Sequence, residues 1–211
     1  MKASVEVRWF HAGSVSADVW SWFAGGAYPP LRQAPRIDRY LRLAKGKRLG
    51  IKLREGLLEV KQRTRTYGRV EFHPHAVGRV EAWRKWSFPL AGGGQTLDSL
   101  GIQTPAWIAV SKQRDLRIYR VGPGDRVSAL PSGNWSMQGC ALELCAVQAG
   151  GSLWWTLGFE AFGPKATLES NLRLVAVHVL GGRWVPKLAE DDSFGYPAWL
   201  AMLAARQDSE P

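Results

Sequence analysis

Alternation of side-chain character along short segments constrains this chain more than any other feature. Residues 3–10, ASVEVRWF, place Val5, Val7 and Trp9 on one side and Ser4, Glu6, Arg8 and Phe10 on the other, the two-residue period of a strand. Strand patterns recur in Arg36 to Leu43, Leu49 to Glu55, Leu57 to Arg63, Arg79 to Phe88, Trp107 to Lys112, Leu116 to Val121, Ala141 to Val147 and Leu153 to Phe162, nine segments in all. Glu55-Gly56 and Gly150-Gly151 mark short turns between them. Helical patterns are confined to Ser16 to Ala24 with its Gly25-Gly26 stop, Lys165 to Leu180, and Tyr196 to Arg206. Many strands with short turns and helices at the flanks predict a mainly β (α+β) fold. The expected architecture is a closed antiparallel β-barrel of about eight strands, with a β-sandwich as the alternative. One domain spans residues 1–211, with the barrel over about 3–163 and C-terminal helices over about 164–206.

The polar faces of these strands are cationic. Lys52 and Arg54 share a face, as do Glu59, Lys61 and Arg63, and Arg79, Glu81, Trp83 and Lys85. The chain carries a net charge of +10, and the excess is local: residues 32–85 hold 16 Lys and Arg against 5 Asp and Glu. Such clustering suits phosphates, nucleic acid or anionic lipid, although a solvated basic surface has the same composition. Two placements follow. Turned outward, the faces give the barrel a basic coat. Turned inward, they make a tunnel that must be hydrated or hold an anion, because unpaired buried charge is too costly. Arg and Lys at alternate positions match phosphate oxygens. The interspersed Glu residues match Mg²⁺ or Mn²⁺, which favour carboxylate, water and phosphate oxygen.

Cys140 and Cys145 are five residues apart, so on one strand they face opposite ways and form no disulfide. No apolar run approaches the ~18 residues of a membrane-spanning helix. Glu6 falls where a secretory leader needs apolar residues, so the chain is read as cytoplasmic with no membrane partner.

Together the segments resemble the CYTH superfamily, the triphosphate tunnel metalloenzymes. SVEVRWF is similar to the family's opening E-x-E-x-K strand. LGIKLREGLLEVKQR, residues 49–63, resembles its paired strands of the type LRIRREG followed by a Lys strand. RVEAWRKWSF resembles the Glu strand that follows, and WIAVSKQRDLRIYRV the strand pair carrying K-x-R. LELCAVQAGGSLWWTLGFEAFG resembles the family ending, L-D-x-V, a glycine turn and E-x-E.

The resemblance implies an eight-stranded tunnel that processes triphosphates, with Glu6, Glu81 and Glu160 as catalytic, metal-holding acids and Glu143 as a further metal ligand. It implies substrate binding by Arg8, Lys52, Arg54, Lys61, Lys85, Lys112 and Arg114, and Mg²⁺ or Mn²⁺ as cofactor. Ser4, Arg8, Cys145 and Gly158 stand where the family has Glu, Lys, Asp and Glu. The implied activity is divalent-metal-dependent hydrolysis of an inorganic or organic triphosphate. The alternatives are a degenerate module that binds polyphosphate or a nucleotide without turnover, and a nucleic-acid-binding basic barrel.

Other motifs carry less. His73-Pro74-His75 lacks a third ligand and reads as a loop. Gly92-Gly93-Gly94 lacks the Lys and Ser/Thr of a phosphate-binding loop and reads as a junction within the barrel. Trp154 and Trp155 are adjacent on a strand, so one faces inward and one outward.

Overall fold

The first strand sets the plan, because its two faces differ so sharply in polarity. In the computed structural model, which describes residues 1–43, 46–90, 106–182 and 184–207, β1 spans Lys2–Ala12. It is followed by α1 (Ala17–Ala24), β2 (Leu31–Arg32), β3 (Arg36–Leu41), β4 (Leu49–Arg54), β5 (Leu57–His73) and β6 (Ala76–Pro89). Then come β7 (Trp107–Val121), β8 (Val127–Ala129), β9 (Gly139–Ala149), β10 (Ser152–Phe162), α2 (Leu168–Leu180) and α3 (Tyr196–Gln207). Eight strands pair antiparallel in the order β7-β3-β4-β5-β6-β1-β10-β9, and β9 pairs back onto β7, closing the barrel. The closed antiparallel barrel of eight strands with flanking helices is the expected architecture. β2 and β8 are short additions along β7.

Two segment boundaries differ from the sequence expectation. Trp107 to Lys112 and Leu116 to Val121 belong to one strand, β7. Gln113-Arg114-Asp115 interrupts the apolar pattern, but the ladder continues through it to β9. The ragged stretch between Arg63 and Arg79 is also paired backbone: β5 and β6 form one long hairpin that turns at Pro74-His75. Register shifts between Arg63 and Arg65, Thr66 and Gly68, and Glu71 and His73 break the two-residue period there, as β-bulges do. The β4–β5 turn has positive φ at both Glu55 (49°) and Gly56 (73°), the geometry that matches strand twist in a two-residue hairpin. Gly92-Gly93-Gly94 lies outside the described residues.

The apolar faces of the strands point out of the barrel. Val5, Val7, Trp9, Leu142, Leu144, Leu157 and Phe159 pack beneath Leu168, Leu172, Val175, Ala176 and Leu180 of α2 and Phe23 of α1. Ser16 caps α1 by accepting a hydrogen bond from the Val19 N–H. Each large side chain buried here contributes roughly 1.5–3 kcal/mol relative to exposure, so this outer layer is the main apolar core. Cys140 lies in it, whereas Cys145 faces inward, and both are free thiols. Trp155 likewise packs outward and Trp154 inward.

A second apolar cluster fills one end of the barrel. Trp199, Leu200 and Leu203 of α3 meet the inward-facing Phe10, Tyr40, Val110, Cys145, Val147 and Trp154. The Phe10 ring stacks on Phe194 at 5.2 Å and on Trp199 at 5.1 Å. Backbone bonds strap the approach to α3 onto the wall: the Phe194 N–H donates to Arg8 O and the Arg79 N–H to Ser193 Oγ. Among the described residues, no helix is long and apolar enough to cross a membrane.

Candidate functional site

The polar strand faces converge on one interior cavity of about 140 Å³, room for on the order of ten waters. All eleven residues proposed from the sequence line it: Glu6, Arg8, Lys52, Arg54, Lys61, Glu81, Lys85, Lys112, Arg114, Glu143 and Glu160. Nine Lys or Arg face five Glu across its walls, an excess of four positive charges. Apart from residues 194–197 at the plugged end, every lining residue belongs to the eight barrel strands.

Three buried carboxylates organise the cations. Asp38 of β3 is fully buried and holds Lys52, Lys112 and Arg36, each at 3.2 Å. Burial pushes its pKa up, but the charges of Lys112, Lys52 and Arg36 outweigh this and hold it well below the carboxylate range. Glu59, 2% exposed, takes Lys52 at 2.9 Å, Lys85 at 3.1 Å and Arg54 at 3.3 Å. Burial raises it while Lys52 and Lys85 lower it, and the balance falls to about 2. Glu143 bridges Arg8 at 2.6 Å and Arg114 at 2.9 Å, and those charges overcome burial to keep it ionised.

Arg8 occupies space that its neighbour across the ladder vacates. Gly158 is its register partner, and a Cβ there would stand 2.8 Å from Arg8 Cζ. The absence of an acid at 158 and the presence of Arg at 8 are therefore one packing solution, completed by a 2.8 Å hydrogen bond from Arg8 Nη1 to Thr156 Oγ1.

Glu6 and Glu160 behave differently. They face each other in register on β1 and β10. Glu6 accepts from Lys61 Nζ at 2.6 Å and from the Ser4 hydroxyl. No side-chain hydrogen bond or ion pair among the described residues engages the Glu160 carboxylate, which lines the cavity. The negative charge of Glu6, then burial, raises its pKa despite Lys61. Glu81 is bound to Arg63, and Lys61 Nζ lies 5.5 Å from the Trp83 ring centroid.

Among the described residues, no three His, Cys, Asp or Glu side chains gather where they could hold a metal ion. His73 and His75 sit at the β5–β6 turn, where the His75 N–H donates to His73 Nδ1 at 3.2 Å and the His75 carbonyl accepts from the Leu188 N–H at 2.8 Å. The Glu6–Glu160 pair nevertheless fits a Mg²⁺- or Mn²⁺-type ion, because such ions take one or two carboxylates and complete their shell with water and phosphate oxygens. Glu143 and Glu81 are occupied by arginines.

Several lining residues lay outside the sequence reading. Arg36 and Tyr40 come from a strand recognised but given no role, which also carries the fully buried Asp38 behind the wall, and Phe194 and Tyr196 come from the plug. The Tyr196 ring lies 3.7 Å from Lys112 Nζ and 5.2 Å from Arg8 Cζ, and stacks at 5.8 Å on Tyr40. The alternation of Arg36, Asp38 and Tyr40 on one face was the available signal. Comparison with known proteins finds no family model and no curated protein that matches the chain.

Proposed function

We propose that the barrel is a triphosphate tunnel of the CYTH type, which admits a phosphate chain and hydrolyses it with Mg²⁺ or Mn²⁺. The observation that carries this reading is the enclosed cationic lumen with one under-neutralised carboxylate pair, Glu6 and Glu160, set in its wall. With Asp38 counted beside the five lining Glu, nine cations exceed six acids by three, which complements a phosphate chain of opposite sign. The partly accessible cations Lys61, Lys85, Arg54 and Arg114 meet the anion first, and their present carboxylate partners keep them oriented before it arrives. A divalent ion held by Glu6 and Glu160 supplies charge neutralisation and Lewis-acid activation of water. Lys61, whose pKa is raised because Glu6 and Glu160 outweigh its burial, stays an ammonium beside that pair.

Binding without turnover is the second reading. It is favoured by Ser4, Cys145 and Gly158, none of which supplies a carboxylate, and by the Arg8–Glu143–Arg114 clamp, which engages one of the remaining acids. A nucleic-acid partner on the same cations must present a terminus narrow enough to enter, since these faces turn inward.

Calorimetric titration of tripolyphosphate and ATP, with and without Mg²⁺ or Mn²⁺, combined with a phosphate-release assay, tests the reading. Metal-dependent release abolished by Glu160→Gln is expected. Tight binding without release, weakened by Lys61→Ala, selects the second reading. Neither binding nor release overturns both.

A further inference from the structure

Lys112 differs from every other cation of the lumen. Its side chain is 4% exposed, against 17% for Lys52, 31% for Lys61 and 35% for Lys85. Its carboxylate partner, Asp38, is already shared with Lys52 and Arg36, so three cations divide one negative charge. Around it also stand the Tyr196 ring at 3.7 Å and the Tyr40 ring at 4.9 Å, with Lys112 Nζ donating to Tyr40 Oη at 2.7 Å, while Glu143 and Cys145 of β9 act on it electrostatically. A ring face is worth roughly 0.5–2 kcal/mol to an ammonium. Taking an ammonium out of water costs several kcal/mol. Burial is the larger effect and, with repulsion from Lys52, lowers the Lys112 pKa to about 7 despite Asp38. The amine therefore carries a free lone pair in a substantial fraction of molecules near neutrality. Tyr196 Oη, on the same cavity wall, is buried without a hydrogen-bond partner among the described residues and leaves a donor for a bound oxygen.

We propose that Lys112 is a reactive amine that forms an imine with phosphate-bearing aldehydes admitted to the tunnel. This rests on the reading of the lumen as a phosphate grip, because Arg8, Arg36, Lys52 and Arg114 hold the phosphate while Lys112 meets the carbonyl. The nitrogen lone pair forms the bond to the carbonyl carbon. The carbonyl oxygen leaves as water with the two amine protons, and no oxidant or reductant is consumed.

The test uses pyridoxal 5′-phosphate as the probe on the full chain at neutral pH. Imine absorbance is followed, borohydride traps the adduct, and peptide mapping locates it. Lys112 is expected to label at least about tenfold faster than the exposed Lys2, Lys165 and Lys187, as its larger free-amine fraction requires. Tripolyphosphate is expected to protect it, and pyridoxal without the phosphate to react more slowly. Lys112→Arg removes the absorbance and Lys165→Arg, at an exposed lysine outside the lumen, retains it. Labelling at Lys52, Lys61 or Lys85 with Lys112 untouched overturns the inference, and tripolyphosphate protection of those sites leaves the phosphate grip standing. Labelling of Lys112 equally by pyridoxal, unprotected by tripolyphosphate, overturns the grip and with it the phosphate requirement proposed here.

Discussion

The two faces of the barrel wall solve opposite problems with the same strands. On the outer face, Val7, Leu157 and Phe159 are sealed under α2 by ordinary apolar burial. On the inner face, the neighbouring residues Arg8 and Glu160 line a charged cavity. Outer-face burial is non-directional and tolerates exchange of similar shapes. The inner face depends on each carboxylate meeting particular cations, so losing one partner leaves several charges uncompensated. The main apolar core lies outside the wall and the charge network inside it.

That comparison breaks most visibly at Asp38. Asp38→Asn strips the shared partner from Lys52, Lys112 and Arg36. It should cost about 3–5 kcal/mol in denaturant unfolding, the cost of breaking a buried pair. Tripolyphosphate should restore much of that loss. Leu172→Ala, in the outer layer at 0% exposure, should cost about 3 kcal/mol and show no rescue by the anion. Equal rescue of both variants would show that the two faces are not energetically separate.

Acid sharpens the contrast. Glu59 has a folded pKa of about 2 against 4.5 in an ordinary carboxylate. Its contribution is present above the higher value and is lost as pH falls from 4.5 towards 2. Wild-type stability should decline through that window, and Glu59→Gln should flatten the decline by about 1–2 kcal/mol in pH-dependent unfolding curves. Glu160→Gln, which relieves the repulsion from Glu6, should stabilise the protein slightly at neutral pH, by under about 1 kcal/mol because solvent screens the pair. Smallest of all, Glu190→Ala removes exposed pairs with Arg69 and Arg79, and should change stability by a few tenths of a kcal/mol (about 0.2–1) in a salt-dependent way.

Much of this arrangement was legible because alternation assigns residues to faces without any knowledge of the fold. It grouped Lys52 with Arg54 and Glu59 with Lys61 before the direction of either face was known. It did not decide between a basic coat and a basic lumen, since that depends on β9 closing onto β7 and on α2 covering the apolar side. Asp38 escaped notice because its partners, Lys52 and Lys112, come from two other strands distant in sequence. The bulges of β5 hid half of the longest hairpin by shifting the period. Tyr196 reads as part of an ordinary amphipathic helix, and only the packing of α3 into the barrel end brings its ring to Lys112.

If the lumen holds a phosphate chain, the plug of α3 decides which part of it can enter. A tube open at both ends lets a chain slide through and be cut anywhere along its length. A tube filled at one end would admit only a terminus and stop it where Phe194 and Tyr196 line the cavity. Such a chamber would favour chains with a free end over branched or capped ones.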